Sequence, residues 1–303
     1  MPLIAMTKLL QNALQNGYAV GYFEAWNLES LLAVKDAAER TGSPVVIGFN
    51  GGFLGSRQRR VKENIHHYGS LGRSVAEQSG IPMALILNEA GDPSLLLEGL
   101  KAGFNVIMHD HVGCTLEQSI HINTDLVKAA RSAGAEVEAE LGELPAADIE
   151  QGAVRGGNMT DPAEAQRFVE ETGVDALAIA VGNVHMLESR TSSLELPLIR
   201  ELRRRVRVPL VLHGGTGLDR EDLKRAIGAG ICKVNVGTLL RRTFINSLKR
   251  YFQENEVERI DPGEVTSIGG ERDMLAQARA EVSEQVAALM ETFGSVSRAG
   301  AIR

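Results

Sequence analysis

The feature that most constrains this chain is an alternation repeated eight times. A short run of β-branched and aliphatic residues is followed by a longer segment with helical spacing. Candidate strands are Ala19–Phe23, Val45–Phe49, Met83–Leu87, Val106–Met108, Glu136–Glu140, Ala176–Val181, Leu210–Leu212 and Ile231–Val236. Helical spacing occupies Leu28–Thr41, Val61–Gln78, Pro93–Ala102, Leu116–Ser132, Pro162–Thr172, Arg220–Ala229 and Gly237–Tyr251, and Gly42, Gly80, Gly103, Gly134, Gly173 and Gly230 stand near expected helix C′ positions. Strand–helix–strand units of this kind force parallel neighbours and right-handed crossovers. Eight of them close most simply into a (β/α)8 TIM barrel. A doubly wound open sheet is the alternative, because strand count alone does not close a sheet. Thr7 is expected to N-cap an opening helix over Lys8–Asn16 that plugs the barrel bottom. Helical spacing over Glu271–Phe293 reads as a packing or oligomerisation arm. The 303 residues are therefore expected to form a single domain, with a core at 17–255 and a C-terminal arm at 256–303.

Composition excludes several functional classes. Lys and Arg total 32 against 39 Asp and Glu, a formal net charge of −7, and the longest basic run is Arg203-Arg204-Arg205. A surface that coats nucleic acid is not expected. Two cysteines, Cys114 and Cys232, allow neither a disulfide framework nor a Cys-rich zinc module. No apolar run approaches the roughly 18 residues of a membrane span, and no secretory leader is evident, so a cytoplasmic protein without membrane contact is expected.

In a barrel the chemistry sits at the C-terminal ends of the strands. Those ends carry Glu24, Asn50, Asn88-Glu89, His109-Asp110-His111, Glu140, Asn183-Val184-His185, His213-Gly214-Gly215 and Asn235. Loops are wet, and one histidine in such a place would mean little. Three strand ends with histidines, and glutamates beside them, point to a metal site. His185 and His213 are the best candidate ligands, with Glu140 and Glu89 as carboxylates. Period-two alternation puts Glu138 and Glu140 on one face, and a lumen pair of glutamates is costly without a cation or a donor network. After the seventh and eighth strands come His213-Gly214-Gly215-Thr216-Gly217 and Asn235-Val236-Gly237-Thr238. Glycines let backbone N–H groups approach a phosphate, and these two loops form the usual phosphate site of barrel enzymes.

The segments Asn27-Leu28-Glu29, Ser43-Pro44-Val45-Val46, Ala102-Gly103-Phe104, Glu138-Ala139-Glu140-Leu141-Gly142, Gly182-Asn183-Val184-His185 and Leu212-His213-Gly214-Gly215-Thr216-Gly217 carry a family likeness. In this order and spacing, the chain resembles the class II, metal-dependent ketose-bisphosphate aldolases over nearly its whole length. The resemblance implies a zinc-type site in which His185, His213 and Glu140 match metal positions. It also implies a phosphate pocket at Gly214, Thr216 and Thr238, an aspartate near the metal at Asp110, and Lewis-acid catalysis through an enediolate. A phosphorylated small-molecule substrate, Zn²⁺ (with Mn²⁺, Mg²⁺ or Co²⁺ as alternatives) and a homodimer or homotetramer follow as expectations.

The departures from the family pattern cluster at the site. Its third strand ends in Asp-His-Gly, where the aspartate shuttles protons and the histidine binds zinc; here Asn88, Glu89 and Ala90 stand in those places. An amide cannot take and return a proton near neutral pH. Glu24 replaces an asparagine, Asn50 a serine, Met186 a glycine and Gly237 an aspartate. The catalytic loop after Glu140 is reduced to Glu143 and Asp148 as candidate acids. Substitution by other polar groups favours a rebuilt lyase site in which Glu24, Glu89, Asn88 and Asp110 are the candidate catalytic residues and Asn50, Gly214, Gly215, Thr216, Asn235, Gly237 and Thr238 bind substrate. An isomerase or epimerase, or a silent sugar-phosphate-binding or scaffold subunit, are the alternatives.

Overall fold

The structure, a computed structural model, describes residues 3–142, 157–183 and 194–302, with two short strands, 146–148 and 153–155, between the first two segments. In chain order the strands are β1 (Val20–Ala25), β2 (Val45–Asn50), β3 (Met83–Ala90), β4 (Val106–His109), β5 (Glu136–Leu141), β6 (Ala146–Asp148), β7 (Ala153–Arg155), β8 (Ala176–Ile179), β9 (Leu210–Leu212) and β10 (Ile231–Val236). Eight of them close in the order β1-β10-β9-β8-β5-β4-β3-β2, all neighbours parallel, and β6 and β7 form a separate antiparallel hairpin. The barrel is closed, so the open-sheet alternative falls away.

Period-two alternation divides the core into two compartments. Phe23, Ile47, Leu85, Ile107 and Leu177 face the helices, whereas Val20, Tyr22, Val46, Ala84, Ile86, Met108, Ala178 and Val211 fill the lumen. The opening helix α1 (Met6–Asn16) sends Met6, Leu9, Leu10 and Ala13 into the lumen cluster and closes the bottom. Thr7 does not cap it. The N-cap position is Ala5, without a side-chain bond, and Thr7 in the first turn donates its backbone N–H (3.1 Å) and its hydroxyl to the Glu136 carboxylate at the start of β5. A distant acceptor on a strand thus competed successfully for the hydroxyl that local sequence assigned to capping.

Local signals account for most helix boundaries. Asn27 and Ser30 form a reciprocal capping box at the start of α2 (Leu28–Thr41), and Gly42 ends it in the left-handed region at φ +62°. The helix expected from Val61 begins at Ile65, because Asn64 caps it by accepting from the His66 N–H; it ends at an extended Ser79, so Gly80 is not its cap. Near the C-terminus, Asp273 caps a helix over Met274–Phe293 rather than one from Glu271. This last helix lies between α2 and the helix Thr238–Glu254, with Phe293 stacked on Phe23 of β1 (ring centroids 6.1 Å apart) and Arg279 paired with Asp36 of α2 (2.6 Å). Among the described residues no helix is long and apolar enough to cross a membrane.

Strands β1, β2 and β3 run past their expected ends, so Glu24, Asn50, Asn88 and Glu89 are ladder residues rather than loop residues. The register pairs Glu24 with Gly48 and Asn50 with Asn88. Gly48 makes this approach possible: a Cβ there would lie 2.0 Å from the Ile86 carbonyl oxygen. Gly48→Ala is expected to destabilise the protein by about 1–3 kcal/mol, the usual cost of overpacking, whereas Gly80→Ala, facing open space, changes little. Urea unfolding midpoints of the two variants measure this directly.

Candidate active site

At the C-terminal mouth of the barrel a cleft of about 210 Å³ opens between the ends of β1, β2, β3, β9 and β10. Its inner wall is buried: Tyr22 and Asn88 are each 1% exposed and His213 not at all. Glu24, Asn50, Glu89 and Asn235 project from the strand ends, Gly214, Thr216, Gly237 and Thr238 border the cleft, and Arg241 and the half-exposed Phe53 stand at the rim.

His213 is the electrostatic hub. Its Nδ1 lies 3.2 Å from Glu89 Oε1 and 3.7 Å from Glu140 Oε2, and its Nε2 lies 3.2 Å from Glu138 Oε1. Burial alone would lower the imidazole pKa, but the three carboxylates outweigh it and push it up to about 10. Below the hub, the buried Lys233 Nζ donates to Glu138 Oε1 (2.9 Å) and to Asn235 Oδ1 (2.6 Å), lies 2.8 Å from Glu138 Oε2, and sits 5.0 Å from the Tyr22 ring centroid. Desolvation pulls Lys233 down, while Lys233 and His213 together hold Glu138 below the ordinary carboxylate range despite its burial. The donor network that a lumen glutamate pair requires is therefore present, and its lysine was not among the sequence candidates.

From the hub a chain of polar contacts runs around the mouth. The Asn50 amide donates to Glu89 Oε2 (2.9 Å) and to Glu24 Oε2 (3.1 Å), separating two carboxylates with one neutral donor. Glu24 Oε1 accepts from Arg241 Nε (2.9 Å) and from its terminal nitrogen (2.5 Å). The guanidinium is held between the rings of Trp26 and Phe53, 4.8 Å from each centroid. Trp26 is thus a brace for Arg241, packed edge-on against Phe244, and does not border the cleft. Burial raises the Glu24 pKa, with Arg241 opposing.

Backbone irregularities aim two of these groups. Glu89 lies in the left-handed region at φ +53°, where the β3–β4 register shifts between Leu87 and Ala90. A bulge of this kind re-aims a side chain next to an active site, at a strain of about 1–3 kcal/mol. After β9, Gly214 at φ +67° turns the chain into the short 3-10 segment Gly215–Gly217, and a Cβ on Gly215 would meet Val234 Cγ1 at 2.7 Å. The His213 carbonyl accepts from Asn183 Nδ2 (2.9 Å), which ties the end of β8 to the hub.

The remaining expected residues divide. Glu140 reaches the hub, and its Oε1 lacks a hydrogen-bond partner among the described residues. His111 Nε2 donates to Gly142 O (2.8 Å), with its Nδ1 4.0 Å from Glu140. Asp110 instead accepts the Val112 N–H (3.0 Å) in a turn and does not border the cleft. His185, Met186 and Glu143 lie outside the described residues, as does the side chain of Asp148. After β2, Arg57, Arg59, Arg60 and Lys62 form a basic cluster in the sequence that does not border the cleft, and Arg59 pairs with Glu63 and Tyr68.

The 3.2 Å His213–Glu89 separation matches two ligands of one tetrahedral ion, about 3.3 Å apart for bonds of roughly 2.0–2.1 Å. As they stand, no three His, Cys, Asp or Glu side chains among the described residues are grouped to hold an ion. In this arrangement a proton on His213 supplies the positive charge that Glu89 and Glu140 face.

A fold with this cleft at its mouth, and this spacing of strand-end residues, defines a class. The class II fructose-bisphosphate aldolase family model matches residues 4–298, and the chain belongs to that family. YdjI, an uncharacterized protein of Escherichia coli strain K12, is 33% identical over 238 residues, spanning 78% of this chain and 84% of YdjI. The crystal structure of the E. coli K12 YdjI aldolase aligns with a TM-score of 0.79 at 28% identity, covering 98% of this chain and 99% of that one. The fructose-bisphosphate aldolase of Campylobacter jejuni, at 20% identity, shares the fold with a TM-score of 0.78 over 98% of this chain and 96% of its own.

The lumen ion pair is open to direct test. Lys233→Met leaves Glu138 buried with only His213 opposite it and is expected to cost about 3–5 kcal/mol, whereas adding Glu138→Gln recovers a large part of the loss. A double-mutant cycle in urea measures the coupling.

Proposed function

We propose that the protein is a divergent class II aldolase-like lyase that catalyses reversible carbon–carbon cleavage of a phosphorylated, hydroxylated ketose or a close relative. The observation that carries this reading is that His213 and Glu89 border one cleft beside a glycine-rich turn and the start of the Thr238–Glu254 helix, with Glu140 behind them, 3.7 Å from His213. The donor set suits a divalent cation: an imidazole nitrogen with two carboxylates, one of whose buried oxygens lacks a partner among the described residues. His213, Glu89 and Glu140 would hold the ion, with His185 as the further ligand that the family resemblance implies. When bound, such an ion supplies Lewis acidity toward a carbonyl oxygen.

The chain's own groups supply the rest. Backbone N–H groups at Gly214, Gly215 and Thr216, and the helix start at Thr238, which carries no side-chain cap, receive the phosphate. Asn235 and Asn50 offer amides to substrate oxygens. Asn88 cannot move a proton, so proton transfer falls to Glu24, a cleft carboxylate whose pKa burial raises and whose position Arg241 and Asn50 fix. Asn88 is also the observation that favours a second reading, a binding subunit without turnover.

Two variants separate these readings. Elemental analysis of the purified protein is expected to show about one divalent ion per chain, lost in His213→Ala. Glu24→Gln is expected to keep the ion and lose cleavage of sugar phosphates by at least about 100-fold, a typical general-base contribution. A protein that binds sugar phosphates without cleaving any of them supports the silent subunit instead.

A further inference from the structure

Resting on the reading of the cleft as a sugar-phosphate site, the geometry points to Tyr22 as a substrate-binding residue whose phenolic O–H donates to an oxygen on the hydroxylated carbon chain of the ligand.

Tyr22 packs with the apolar lumen cluster, yet it borders the cleft together with Asn88 and Asn235. It is 1% exposed, and its hydroxyl has no hydrogen-bond partner among the described residues. Two neighbours share the condition: Asn88 Oδ1 and Asn235 Nδ2 are buried and unpartnered among the described residues. Tyr22 and Asn235 are register partners on β1 and β10, so the two donors come from adjacent strands at one level of the barrel. The set is one acceptor and two donors, all uncharged at neutral pH. Buried polar groups are nearly always satisfied, and several orphans bordering one cleft mark the positions that a ligand's polar atoms complete. Vicinal oxygens of a polyhydroxylated chain both donate and accept, which this mixed set requires; an apolar chain would leave all three groups unsatisfied.

The ring is fixed before any ligand arrives. Lys233 Nζ lies over its face, held there by Glu138 and Asn235. Burial and the nearby Glu24, Glu89 and Glu138 keep the phenol protonated, so it acts as a donor.

The test compares binding of three compounds to wild type and Tyr22→Phe by titration calorimetry: glycerol 3-phosphate, 3-hydroxypropyl phosphate, which lacks the central hydroxyl, and propane-1,2-diol 1-phosphate, which lacks the terminal one. Wild type is expected to prefer glycerol 3-phosphate over at least one deoxy analogue by roughly tenfold, about the value of one buried hydrogen bond. In Tyr22→Phe that preference is expected to fall to within about twofold. The unliganded variant should melt no lower than wild type, because it loses a hydroxyl with no partner to leave behind; a structural hydroxyl would lower the midpoint. Discrimination that persists in Tyr22→Phe, or that wild type never shows, overturns the assignment of Tyr22. Failure of all three compounds to bind wild type overturns the sugar-phosphate reading itself, and this inference with it.

Discussion

The imidazole of His213, clamped between three carboxylates from two other strands, is the interaction on which the mouth of the barrel depends. Glu138 and Glu140 arrive from β5 and Glu89 from β3, while His213 follows β9. Buried carboxylates of this number would repel one another and expel the chain segments that carry them, unless cations were interleaved. The interleaving is regular: Lys233 faces Glu138, His213 faces Glu138, Glu89 and Glu140, and Arg241 faces Glu24, with the neutral amide of Asn50 bridging the one gap where two acids would otherwise meet. Charge alternation therefore ties five strands of the barrel together at its mouth, and leaves the cleft lined by groups already fixed in place. That is preorganisation in the sense that matters for catalysis, since little reorientation remains to be done when a ligand arrives.

Much of this was legible in the amino-acid sequence, and the reasons are specific. The eightfold alternation and the helix caps are local signals, and locality is what periodicity detects. Glu138 and Glu140 share the lumen because spacing by two is a property of any strand, and His213 was visible because it precedes a glycine-rich turn. The missing pieces needed the third dimension. Lys233 lies in an apolar strand, and only the register at the β10–β9 bulge shows that it faces Glu138. Arg241 is one turn into a helix and reaches back to a strand 217 positions earlier in the chain. Tyr22 reads as ordinary core until its neighbours across the register are known to be polar. Thr7 was misassigned because its partner, Glu136, is 129 residues away.

Membership of the class II aldolase family and a rebuilt cleft are compatible once the replaced groups are considered together. Where the family pattern has a proton-carrying acid at the end of the third strand, this chain has an amide, and where it has an amide at the end of the first, this chain has an acid. Glu24 and Asn88 line the same cleft. The exchange keeps an ionisable carboxylate in the site while moving it from β3 to β1, two strands away around the barrel. A substrate cleaved by such a site would present its reacting hydroxyl toward a different wall.

The packing of Glu24 also limits what position 237 can hold. A Cβ placed on Gly237 would stand 3.3–3.4 Å from the Glu24 side chain, closer than most such atoms tolerate. An acid at position 237 and a long acid at position 24 therefore compete for the same space and repel the same charge. Of the two substitutional routes between the family pattern and this chain, the one that first empties position 237 passes through an unobstructed cleft, while the one that first lengthens position 24 passes through a crowded and doubly negative one. The dependence runs one way: glycine at 237 suits either residue at 24, whereas the long acid at 24 suits only glycine at 237, so a variant refilling 237 would first have to shorten residue 24.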